Sequence, residues 1–312
     1  MADTSRGTIQ ITRQIMRIGE FAARFLAAHA TANIAAVFER SLYLESGGAF
    51  VCLGDASIGD GPLNAIMDGS AATWIATSTP GDTVDIHDGC LHAHTWRASF
   101  AHTQCWQPPP WPCPASAERV AEALHRIAAI STSTMPPDGL APLVLRAAPT
   151  HDLATTFARV ALPRLSEFEA WLVSSPLVGD VARSTGRKAA LLLGLGPGLT
   201  PSGDDALCGV LLALDALGAH DTRAALATEV RAAAPSATTP LSAAFLAAAA
   251  EGQGSAALLD FIAALVAADL DALPATIAAL GRVGHTSGWD ALAGAYLTLS
   301  AFVRAAPPTR SP

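Results

Sequence analysis

LGPGLTPSGDDALCG, residues 195–209, packs four glycines, two prolines, a Thr, a Ser and two adjacent Asp between apolar flanks. The glycines at 194, 196, 198 and 203 let successive backbone N–H groups turn toward one point, as in an anion-binding nest. An apolar helix is expected from about Gly203 or Asp204, aiming its first amides and positive dipole end at the same place. Thr200 and Ser202 add hydroxyl donors. No GK[ST] follows the last glycine, so this is not a Walker A loop. No βαβ unit with a downstream ribose-binding acid frames it as a dinucleotide site.

The stretch also reads as simple helix punctuation. Ser202 and Asp205 fit the S-x-x-[DE] capping box, in which each side chain satisfies the other's backbone N–H. Gly194 can end a short helix over 188–193 as its left-handed residue. A second segment shifts the balance. SGDDALCG (202–209) and SGWDALAG (287–294) share Ser, Gly, Asp, Ala, Leu and Gly in register, 85 residues apart (287 − 202). Each has a Gly seven residues after its Ser (Gly209, Gly294), where a missing side chain permits close helix approach. Two such starts predict paired N-termini around one small anion, binding through Gly196, Gly198, Thr200, Ser202, Gly203, Ser287 and Gly288. ATTPLS (237–242) adds a third start, with Thr239 as N-cap and Pro240 at N1.

The ionisable candidates for chemistry here are Asp204, Asp205, His285 and Asp290. One acid of the Asp204–Asp205 pair suffices for the cap, and Asp204 is read as the spare. Beside a phosphate it can hold Mg2+ through water or act as a base; a solvated first-turn acid is the plain alternative. His285 is the candidate proton donor, against a structural hydrogen bond.

The 312 residues suit one large or two ordinary domains. Hydrophobic residues make up 51% and charged ones 15%, which excludes disorder for most of the chain. The net charge of −8, with no Lys/Arg block, argues against nucleic acid as a partner. No apolar run of membrane-spanning length is present, and MADTSRGTIQITRQIMRIGE lacks a signal-peptide core. Five scattered cysteines suggest a reducing compartment, and hence a cytoplasmic protein.

The fold class expected is α+β: a β-rich N-terminal part, then an α-helical C-terminal domain carrying the two Gly-rich helix starts. Residues 1–40 read as a polar tail and an Ala-rich helix over 11–38. Residues 41–150 read as a β-rich domain with Pro-rich linkers (QPPPWPCP, MPPDGLAP). It begins with the SLYLESGGAFVCLG hairpin, includes a helix over 115–130, and ends with a strand at LVLRA (143–147). Residues 151–305 show helical periodicity throughout, and APPTRSP reads as a tail. In HDGCLHAHTW, Cys90, His92 and His94 alternate with His87 nearby, either a zinc site or a half-exposed strand; no metal ligand is assigned. Arg187 and Lys188 can neutralise a phosphate or lie on a solvated face. Trp96, Trp106 and Trp111 read as packing residues.

The order GLGPGLTPSGDD, TTPLS, GHTSGWDALAG resembles the AllH-like family. Thr200 through Asp205, Leu207 and Gly209 match its first motif, and His285, Ser287, Gly288 and Asp290 its second; Ala206 stands where the family carries an aromatic. The resemblance covers about 190–300 and is looser over FERSLYLESGGAFVCLG and GPLNAI. It implies an oxamate carbamoyltransferase subunit in purine-nitrogen (allantoin) catabolism, working with two other subunits. The reaction takes oxalurate and phosphate to oxamate and carbamoyl phosphate. The partners implied are a small anionic carbamoyl or phosphate ligand and a hetero-oligomer. The rival readings are a non-catalytic assembly subunit whose motifs are helix caps, and a stand-alone enzyme on another carbamoyl or phosphate compound.

Overall fold

The structure, a computed structural model, describes residues 11–131, 134–145, 156–175 and 187–306. The chain divides into two compact units at Gln107/Pro108, within the Pro-rich stretch. The expected N- and C-terminal tails lie mostly outside the described residues, as does the end of LVLRA.

The first unit is a β-barrel. Its strands are β1 (Ile11–Ile18), β2 (Thr31–Val37), β3 (Ser41–Ser46), β4 (Ala49–Gly54), β5 (Asn64–Met67), β6 (Thr83–His87), β7 (Cys90–His92), β8 (Trp96–Ser99) and β9 (Gln104–Cys105). They follow the order β5-β4-β3-β2-β6-β7-β8-β1-β9, and an antiparallel β5–β1 pairing closes the sheet. Closure removes the exposed edges that a flat sheet would leave. Side chains alternate inward along the strands: Ala32 and Ile34, Leu42 and Leu44, Val84 and Ile86 are all buried. The interior is filled rather than hollow, with Trp74 and Trp96 meeting edge to face at 5.5 Å. The hairpin expected at Gly47–Gly48 joins β3 to β4, and both glycines take positive φ, as its two-residue turn requires.

The helix expected over 11–38 is instead two strands flanking one helix, α1 (Glu20–Ala28). Alanine misleads here. ITRQIMRI and TANIAAV carry several β-branched residues, and in TANIAAV the buried Ala32 and Ile34 alternate with exposed Thr31, Asn33 and Ala35. A short helix α2 (Ala72–Ile75) completes this unit.

The second unit is helical: α3 (Ala117–Ser131), α4 (Ala141–Val144), α5 (Thr156–Ser174), α6 (Ser202–Ala216), α7 (His220–Ala237), α8 (Pro240–Ala250), α9 (Ala256–Ala267), α10 (Leu273–Leu280) and α11 (Ser287–Ala305). Leu143 and Val144, the start of the strand expected at LVLRA, instead lie in α4, where Pro142 sits in the first turn and suits a helix start. The helix expected over 188–193 is only a 3-10 turn, Ala189–Leu191, ahead of Gly194 at φ +68°. The long apolar run 255–281 is split into α9 and α10 by Ala268 in the left-handed conformation. None of the helices searched among the described residues is long and apolar enough to cross a membrane.

α6 and α11 form the centre of this unit, buried on nearly every face. They cross at their glycines. A Cβ on Gly209 would lie 1.9 Å from the Ala291 carbonyl oxygen, and one on Gly294 would lie 1.9 Å from that of Ala206. The two contacts are each other's image under the 85-residue offset. The segments leading in repeat as well. The Gly203 amide donates to the Leu195 carbonyl at 2.8 Å, and the Gly288 amide to that of Val283 at 3.0 Å. A Cβ on Gly203 or Gly288 would lie 2.0 Å from the oxygen of Leu192 or Leu280.

Because the crossing leaves no room for a methyl group, Gly209→Ala and Gly294→Ala are each expected to lower unfolding free energy by about 2–3 kcal/mol, the cost of overpacking. Urea denaturation of the two variants beside wild type measures it, and a loss below about 0.5 kcal/mol would contradict this close approach.

Candidate functional site

The two helix starts bring Thr200, Ser202, Asp205, Ser287 and Asp290 together. α6 begins one residue earlier than expected. Its N-cap is Pro201, with no side-chain cap, so Ser202 is the first helical residue and the Ser202–Asp205 capping box does not form. α11 begins at Ser287 behind Thr286, also without a side-chain cap. Asp205 and Asp290 thus hold equivalent places in the first turns of their helices.

The roles of the two adjacent acids are the reverse of the sequence reading. Asp204 is the structural tie. It is buried, and its Oδ1 accepts from the Gly194 amide at 2.8 Å. Its Oδ2 accepts from the Ser242 hydroxyl at 2.7 Å and from the Thr238 hydroxyl. With both oxygens engaged, it is not the spare carboxylate foreseen for Mg2+ or base chemistry. The third helix start therefore serves this loop. Thr239 caps α8 by accepting from the Ser242 amide at 3.1 Å, and its hydroxyl donates to the Leu199 carbonyl. The turn of α6 sends the neighbouring Asp205 elsewhere, toward α11.

Asp205 and Asp290 are served by crossed hydroxyls. Those of Ser287 and Thr200 support Asp205; those of Ser202 and Thr286 support Asp290. Each helix's first serine thus serves the other helix's acid. Thr200 Oγ1 and Ser287 Oγ lie 2.9 Å apart. Burial drives the Asp205 carboxyl well above the usual carboxylate range, against the Ser287 hydroxyl, and the nearby Asp290 charge adds to the rise. Burial likewise pushes Asp290 up to about 6, although the Leu140 and Ala141 amides and the Ser202 and Thr286 hydroxyls favour its charged form. Oδ2 of each acid is buried without a hydrogen-bond partner. An unpaired buried carboxylate is costly, so the arrangement favours retention of a proton. Cys208, one turn along α6, is a neutral thiol held up by burial and by the charges of Asp205 and Asp204.

His285 stands apart from these acids. It is exposed, its Nε2 lies 3.8 Å from Asp138 Oδ2, and no contact carries it to Asp205 or Asp290. Gly196 and Gly198 take φ +115° and +99°, and nothing lies within 4 Å of a Cβ built on Gly198. The amides of Gly203 and Gly288 are occupied by the Leu195 and Val283 carbonyls. Lys188 pairs with Glu167 at 3.0 Å, while Arg187 is exposed. In the barrel, Cys90 is buried with Arg97 Nη2 3.0 Å from its sulfur, and His87 stacks on His92 at 4.1 Å. Among the described residues, no three His, Cys, Asp or Glu side chains are gathered to hold a metal ion.

Sequence reasoning missed Thr238 and Ser242 as ligands of Asp204, and Thr286 and Leu140 as ligands of Asp290. One signal was available. In the alignment of SGDDALCG with SGWDALAG, the shared acid is Asp205, while Asp204 faces Trp289. The echo itself selects the symmetric carboxylate.

Protonation of Asp290 favours the folded state, because its folded value of about 6 exceeds that of an unfolded carboxylate. Its contribution is therefore fully present at low pH and is lost as pH rises through about 6. Asp290→Asn keeps an acceptor for Leu140 and removes this loss. The variant is expected to gain about 1–3 kcal/mol on wild type between about pH 4.5 and 8. Urea denaturation across that range tests it, and a constant difference would contradict it.

No solved structure matches the chain. Residues 192–299, roughly a third of the chain, match the family described as oxamate carbamoyltransferase subunit AllH. The matched span runs from the turn before the first glycine loop into α11 and includes both acids. Over this segment the helical unit is similar to the AllH family of oxamate carbamoyltransferase subunits.

Proposed function

We propose that this protein is a subunit of an oxamate carbamoyltransferase-type assembly, and that its two helix starts handle the carbamoyl group. The observation that carries the reading is the pair of equivalent acids, Asp205 and Asp290. Each is supported by the opposite helix's serine and keeps one buried oxygen unpaired.

The chemistry fits these groups. In phosphorolysis of oxalurate, a phosphate oxygen attacks the carbamoyl carbon, and the bond from that carbon to the amide nitrogen breaks. The nitrogen leaves as oxamate once it takes a proton, and the carbamoyl group leaves as carbamoyl phosphate. A carboxyl whose value lies at about 6, as for Asp290, exchanges its proton near neutral pH and is suited to supply it, and its carboxylate to remove it in the reverse direction. Asp290 is the donor in this reading. Asp205, whose carboxyl burial drives well above the usual range, orients the ureido group by hydrogen bonding. The hydroxyls of Thr200 and Ser287 and the open glycine loop at 196–198 receive the anionic oxygens. The occupied Gly203 and Gly288 amides give the anion no direct contact, so hydroxyls and loop carry that task.

The non-catalytic assembly reading keeps one observation in its favour: the tight glycine crossing explains the two motifs as a packing seam. Activity separates the two. In the complex co-expressed with its other subunits, Asp290→Asn and Asp205→Asn are each expected to lower kcat for carbamoyl phosphate formation about 100-fold or more. Circular dichroism and gel filtration of the same complex check folding and assembly. Activity within twofold of wild type in both variants would overturn the catalytic reading and leave the assembly one.

A further inference from the structure

The segment leading into α4, TMPPDGLAP (134–142), reads in the sequence only as a break between elements. In the structure it lies against the first turn of α11. The Leu140 amide donates to Asp290 Oδ1 at 2.6 Å, and the Ala141 amide also supports that carboxylate. Gly139 takes φ +84°, and a Cβ there would lie 2.5 Å from Asp290 Oδ1 and 2.9 Å from Oδ2. Leu140 and Ala141 are buried, and Asp138 at the rim faces His285 of the loop leading into α11. A side chain at 139 would strike the acid, and any other backbone course would withdraw the amides. The strap is shaped to fit one carboxylate.

We propose that this strap, through Gly139 and the Leu140 amide, is a positioning element for Asp290 that fixes which carboxyl oxygen carries the transferable proton. The inference rests on the proposed function for its catalytic meaning, though not for its geometry. With Oδ1 engaged by backbone N–H donors, the proton of the neutral acid sits on Oδ2, the oxygen without a partner. The ionisable groups around Asp290 are Asp205 from α6, and Asp138 and His285 at the rim. Of these, Asp205 is the one whose own affinity for a proton is raised by the Asp290 charge.

The direct test needs no substitution in the strap. In the full-length protein, the Leu140 amide proton is expected to shift downfield as Asp290 ionises, with a midpoint near 6, and to lose that titration in Asp290→Asn. A Leu140 resonance independent of pH between about 5 and 8 would overturn the proposal. The second test is Gly139→Ala in the assembled complex. Withdrawing two donors from the carboxylate raises its affinity for a proton. The basic limb of the kcat profile is therefore expected to move up by on the order of one pH unit, with KM little changed. An unmoved limb, with the Leu140 titration abolished by Gly139→Ala, would show that losing the strap's donors leaves the catalytic proton unchanged, and would overturn the strap as its positioning element. An unmoved limb with the Leu140 titration intact would overturn the strap's role.

Discussion

The crossing of α6 and α11 is the constraint on which the helical unit depends. Two glycines let the backbones approach until each helix's carbonyl stands where the other's Cβ would be. No side chain separates the helices there, so their first turns are drawn together as well. That brings Ser202 beside Asp290 and Ser287 beside Asp205. The surrounding elements then hold what the crossing creates. α8, through Ser242, and Thr238 just before it tie Asp204, and through it the glycine loop at Gly194. The strap before α4 closes over Asp290.

The two halves are similar but not equal, and the differences bear on chemistry. From Gly196 to Ser202 the chain takes six steps, while from Gly284 to Ser287 it takes three. The longer loop carries Gly198 into open space and exposes Leu199. Asp204 has Trp289 as its counterpart, so only the first half has the extra acid that anchors a loop. Asp290 is covered by the strap and fully buried, whereas Asp205 keeps partial exposure. A symmetric frame thus holds two acids in unequal settings. Unequal settings are what separate the affinities of two carboxyls for a proton.

Much of this was legible in the sequence, and the failures have physical causes. The hairpin at Gly47–Gly48, the N-cap at Thr239 and the two glycine-backed helix starts were readable, because turns and caps are local. The barrel's first strands were not. Ala-rich TANIAAV looks helical until its neighbours in the closed sheet take up the alternate side chains. The choice between Asp204 and Asp205 also needed the structure, since it turned on a helix starting one residue early and on Thr238 and Ser242 more than thirty residues away. Leu140 acts through its backbone amide, 150 residues from Asp290, and a backbone donor leaves no signature in residue type.

The central claim is that the paired site holds a proton, on Asp205, when ordinary carboxyls have lost theirs. Infrared difference spectroscopy reads this directly, because a neutral carboxylic acid and a carboxylate have separate C=O stretches. At neutral pH, the wild-type protein should show a carboxylic-acid band in the spectrum taken against Asp205→Asn, and the band should persist in Asp290→Asn at lower intensity or shifted position. A spectrum with carboxylate bands alone would mean that Asp205 is ionised, and that the crossing of α6 and α11 is a packing seam that holds no neutral acid there.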